Sequence, residues 1–153
     1  MKKATFISGP PGGGKWALAQ QLAEPIKGNT LYISPVNINK NNLLNVLRTD
    51  DYQILFIDWP INARFAEQKQ IAQTLVEAIQ EGTKKDIFIL SQRPAMIELK
   101  GVIEDLTPQR VALNYIMQWR KKKVENELND IKMIADPLFQ ENEALQAFLK
   151  ELK

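Results

Sequence analysis

Five short apolar runs, separated by stretches of helical periodicity, constrain the fold of this chain more than any other feature. They are ATFIS (4–8), TLYIS (30–34), QILFID (53–58), DIFILS (86–91) and RVALNY (110–115). Most are continuous rather than alternating, the pattern of strands covered on both faces of a parallel sheet. Helical patterns fill the gaps. Gly14 to Glu24 stops at Pro25. Asn39 to Arg48 carries Leu43, Leu44 and Leu47 on one side. Ala63 to Glu81 ends at Gly82, and Ala95 to Leu106 breaks near Gly101. Strands alternating with helices predict a doubly wound α/β sandwich of three layers with a mainly parallel sheet.

The connection after the first run is the most specific stretch. Gly9, Pro10, Pro11, Gly12, Gly13, Gly14 and Lys15 satisfy the spacing G-x4-G-K, between an expected strand and an expected helix. Glycines let the backbone curl so that successive N–H groups face a phosphate, and a helix N-terminus adds its positive end. Lys15 would reach the outer phosphates. Nucleotide-binding candidates are therefore Gly9 to Lys15 with Trp16 and Ala17, and the expected cofactor is ATP or another nucleoside triphosphate. Position 16 departs from the pattern. A hydroxyl there is a direct magnesium ligand in this class, whereas an indole offers only an N–H donor. Mg²⁺ would be held less firmly, through phosphate and water, and is expected to matter less than in an intact site.

Composition narrows the chemistry. The chain has 153 residues, 44% hydrophobic and 25% charged, as expected of a soluble globular domain. It has no cysteine and no histidine, which removes thiolate metal sites, disulfides and imidazole acid–base chemistry. A net charge of +2 does not by itself announce a nucleic-acid partner. No apolar run approaches the ~20 residues of a membrane span. MKKATFISG is too short and breaks too early for a signal peptide, so a cytoplasmic location is expected.

The expected strands end in Ser8, Ser34, Asp58, Ser91 and Asn114, a polar crest where open α/β sheets bind ligands. QILFID has the form of the strand whose terminal carboxylate holds magnesium through water, here Asp58. Hydrolysing members place Glu next; here Trp59 follows, and Glu67 lies too far along to take that part. The third piece, Ser91-Gln92-Arg93-Pro94 followed by Gly101 and Pro108-Gln109-Arg110, resembles a stretch of the FtsK/HerA-type DNA-pumping ATPases. The GPPGGGK loop and the polar-Arg-Pro stretch also resemble the AAA+ ATPases. Both resemblances imply a P-loop fold with sheet order 5-1-4-3-2 over residues 4–115. By them Gln92 is the sensor of the γ-phosphate, and Lys15 and Asp58 are its catalytic companions.

We expect a P-loop core over 1–116 and a C-terminal helical appendage over 117–153, where two amphipathic helices are split by Pro137. Arg120, Lys121, Lys122 and Lys123 offer a contact to DNA or an acidic protein partner. Arg64 and Arg93 are candidate arginine fingers toward a neighbouring copy in a homo-oligomer. The leading functional expectation is an ATP-binding protein, DNA-associated, with slow or lost hydrolysis. Alternatives are a non-catalytic nucleotide-sensing or assembly subunit and, less in keeping with the absence of an arginine-rich lid, a small-molecule kinase. If only ligands at 16 and 59 are missing, Trp16→Thr with Trp59→Glu is expected to raise hydrolysis.

Overall fold

The computed structural model describes residues 2–112, together with 121, 124 and 125. The chain divides into two compact units, Met1–Pro108 and Gln109–Lys153. In the first unit, strands and helices alternate as β1 (Ala4–Ser8), α1 (Lys15–Ala23), β2 (Thr30–Ile33), α2 (Lys40–Arg48), β3 (Ile54–Asp58), α3 (Phe65–Gln80), β4 (Asp86–Ser91) and β5 (Ile103–Leu106), with a single 3-10 turn at Ile97–Leu99 before β5. The five strands form one parallel sheet in the order β2-β3-β4-β1-β5, the expected order read from the other edge.

Local chemistry sets the helix ends. Gly14 precedes α1 with φ 88°, a left-handed conformation that costs a glycine little. Asn39 caps α2, its side-chain oxygen accepting from the Asn42 N–H at 2.8 Å. Past α3, Gly82 N–H donates to Ile79 at 3.1 Å and Thr83 N–H to Ala78 at 3.0 Å. That pair of bonds closes the last turn as a Schellman motif.

The sheet is buried on both sides by different elements. Ala4, Phe6, Ile33, Leu55, Ile57, Ile87, Ile89 and Ile103 share one core with Leu43 of α2, with Ile71, Ala72, Leu75 and Ile79 of α3, and with Leu99. Each fully buried Leu or Ile there contributes ~1.5–3 kcal/mol. Leu18, Ala19 and Ala23 of α1 are buried but stand outside that cluster, because α1 covers the opposite face. Right-handed crossovers require this, since β1 to β2 runs across the sheet and the later strands return. The loop between β1 and α1 therefore opens where the winding reverses, the usual ligand crevice of such sheets.

Two expectations fail in the last third. The fifth strand is Ile103–Leu106, not 110–115, and residues 108–112 are helical. An edge strand needs only one neighbour, here β1, and so tolerates the exposed Glu104 and Asp105 that hide it from an apolar pattern. The expected helix from Ala95 to Leu106 shrinks to the 3-10 turn. Between Pro94 and Gly101 there is little length over which a helix could repay its nucleation. Asn114, the appendage over 117–153 and Arg120, Lys122 and Lys123 lie outside the described residues, apart from helical Lys121, Val124 and Glu125.

Candidate functional site

The loop from Gly9 to Gly14 leaves the end of β1 and enters α1 at Lys15. Gly9 N–H donates to the Ser91 carbonyl at 3.1 Å, which pins the loop to the end of β4. Pro10 and Pro11 have no N–H. The first turn of α1, with Lys15, Trp16 and Ala17, presents N–H groups that have no intrahelical partner. The Lys15 ammonium folds back over the loop and donates to the carbonyls of Gly9 and Pro10, both at 2.9 Å.

Lys15, Trp16, Tyr32, Asp58, Leu90 and Gln92 line one cavity of ≈ 510 Å³. The structure thus brings together Lys15, Asp58 and Gln92, which arrive from α1, the end of β3 and the residue after β4. A second cavity of ≈ 390 Å³ shares Asp58 and Gln92 and extends along Pro35, Val36 and residues 59–63. Arg93, whose backbone N–H donates to Ser91 Oγ at 3.1 Å, is exposed, as is Arg64 at the start of α3.

Trp16 is 43% exposed and lies on the α1 face of the sheet. Its ring meets Tyr32 edge-on, 5.4 Å between centroids, and leans on Phe56 at 5.1 Å; Phe56 stacks on Phe88 at 5.3 Å. Pairs of this kind contribute about 0.5–1.5 kcal/mol each beyond their buried area. Trp16 therefore links Tyr32 to the Phe56–Phe88 stack, and with Tyr32 it lines the cavity.

Tyr32 is the residue that sequence reasoning missed. Its phenol donates to Asp58 Oδ2 at 2.8 Å. Burial, that hydrogen bond and the Asp58 charge together push the phenol up to about 12. A signal existed: β2 and β3 run parallel with Tyr32 opposite Phe56, and Asp58 lies two residues on, on the same face. Reading it required the register, which the apolar runs do not encode.

Trp59 faces the other way. It is 4% exposed, belongs to the α2–α3 core, and donates from Nε1 to Gln68 Oε1 at 3.0 Å. Strand alternation explains the split, since Asp58 and its successor must point to opposite faces. The position where hydrolysing members carry a water-activating carboxylate is here a packing position.

The side chains at this corner offer magnesium few oxygen ligands, so an ion there would rest mainly on phosphate and water oxygens. Trp16 supplies none, one Asp58 oxygen is engaged by Tyr32, and among the described residues no group of three His, Cys, Asp or Glu could hold a metal ion.

A glycine-rich loop entering a helix, a parallel sheet ordered 2-3-4-1-5 and a carboxylate at the end of the strand beyond β4 define the fold of the P-loop NTPases. The Holliday junction branch migration motor RuvB of Thermotoga maritima has this fold, with a TM-score of 0.50 and 22% identity over 68% of this chain. A point variant of that motor gives 0.50 and 21% over the same share. The chain spans only 37% of the length of either, and at this identity the likeness is one of fold. No protein-family description and no curated protein matches the chain.

Proposed function

We propose that the chain is a nucleotide-binding P-loop domain, taking ATP or another nucleoside triphosphate, in which hydrolysis is slow or lost. The observation that carries this reading is the convergence of Lys15, Asp58 and Gln92 on one cavity beside the loop, while position 59 is turned into the core. Of the two affiliations, the likeness to RuvB, an AAA+ ATPase, favours AAA+ over FtsK/HerA. Association with DNA rests on that neighbour's being a Holliday junction motor and on the basic run from Arg120 to Lys123. Calorimetric titration with ATP, followed by single-turnover hydrolysis alone and with DNA, tests it. Unchanged affinity in Lys15→Ala would remove the loop as the site.

A second reading is a nucleotide-sensing or assembly subunit without turnover. The Tyr32–Asp58 hydrogen bond favours it, because it engages the carboxylate that hydrolysing relatives of this fold keep for the reacting end of the nucleotide. A burst of phosphate in the single-turnover experiment would decide for the first reading.

A further inference from the structure

A corner poor in metal ligands changes what this site can hold. In P-loop enzymes a divalent ion bridges the outer phosphates and neutralises their charge beside the carboxylate at the end of the strand. Here that corner is built from side chains: the Trp16 ring stands edge-on to Tyr32, whose phenol donates to Asp58. The described residues lining the cavity include one cation, Lys15, and one carboxylate, Asp58. The loop amides and Lys15 serve the phosphates seated in the loop. A further phosphate enters the cavity between Lys15 and Asp58, where that one ammonium must offset its charge as well as that of the phosphates already in the loop. Like charges a few ångströms apart at a half-buried site repel each other by more than bulk water would allow. A diphosphate stops short of that contact.

We propose that the loop is a metal-independent site for a nucleoside diphosphate, with Trp16 and Tyr32 filling the corner a divalent ion would take and Asp58 disfavouring a third phosphate. The inference rests on the nucleotide-binding reading above and changes its preferred ligand from a triphosphate to a diphosphate. It also gives the Tyr32–Asp58 pair a purpose: the phenol, itself edge-on to the Trp16 ring, holds the carboxylate in place.

The test is calorimetric titration of the full chain with ADP and with ATP, each in Mg²⁺ and in EDTA. ADP affinity is expected to stay within about threefold between the two conditions, and ATP in EDTA to bind about tenfold more weakly than ADP. Magnesium tightening ADP binding about tenfold, or ATP matching ADP in EDTA, overturns the inference. Asp58→Asn supplies a sign. It is expected to raise the affinity for ATP in EDTA toward that for ADP; a fall would show that the carboxylate does not repel a third phosphate and would overturn the proposal. Tyr32→Phe keeps the ring and frees the carboxylate, so ADP binding is expected to become magnesium-sensitive; no change overturns the part given to Tyr32. Failure of both nucleotides to bind under either condition overturns the nucleotide reading and this inference with it. Binding that requires magnesium leaves that reading intact and overturns this one alone.

Discussion

The indole N–H of Trp59 donates to Oε1 of Gln68 at 3.0 Å, and Gln68 in turn donates from Nε2 to the Ala63 carbonyl at 2.9 Å. These two bonds tie the exit of β3 to the entry of α3. Position 59 is thus structural, and the expectation that Glu there would help revive hydrolysis has to be revised. Trp59→Glu puts a carboxylate among apolar side chains and deletes a large buried ring. The expected cost is ~3–5 kcal/mol, as for other large core truncations, read as a lowered midpoint in urea. Trp59→Phe should lose less. A Trp59→Glu protein as stable as wild type would show that the ring is not packed as described.

Lys15→Ala is expected to weaken nucleotide binding by ~1.5–3 kcal/mol, the range for hydrogen bonds to charged groups. The loss should fall toward the lower end. In the free protein the ammonium already bonds the Gly9 and Pro10 carbonyls, so binding exchanges one set of hydrogen bonds for another. Calorimetric titration of both proteins gives the difference.

The Tyr32 phenolate should appear near pH 12. Its folded value lies above the ordinary 10, so the stabilisation is complete below pH 10 and is lost as pH rises through about 12. Absorbance at the phenolate band during alkaline titration follows it. Asp58→Asn should bring the value down only partway, because burial, the largest single cause, remains. A full return to the ordinary value would show that burial contributes nothing.

Gly28→Ala is expected to destabilise the fold by about 1–3 kcal/mol. Gly28 has φ 141°, and a Cβ there would lie 2.6 Å from Gln53 Cβ and 2.7 Å from its Oε1. Gln53 cannot easily yield. Its Oε1 accepts from Asn29 N–H at 2.6 Å and its Nε2 donates to Asp50 at 2.8 Å, joining the turns before β2 and β3. Thermal unfolding of the variant measures the loss.

The parts of the fold that were legible in the sequence are those with two-sided burial. β1, β3 and β4 sit inside the sheet and read as continuous apolar runs, while their order was implied by the family resemblance. β5 escaped because half of its surface needs no apolar partner, while Val111, in the apolar run mistaken for it, lies in a helix. At the candidate site, Lys15, Asp58 and Gln92 could be picked out because each ends or follows a strand or loop of recognisable form. Tyr32 could not, since its meaning lies in a neighbour 26 residues away. The opposite facing of Asp58 and Trp59 needed only strand alternation, yet the spacing of the motif drew attention to both as if they shared a face.

The short strand β5 has one more consequence. At the margin of the sheet it carries Glu104 and Asp105, adjacent and both exposed. A chain seeking to extend the sheet there must bring its backbone past two neighbouring negative charges, and natural sheets use such charges to discourage templated strand addition. The sequence that disguised this strand from an apolar pattern is therefore the same one that guards it against fibril growth.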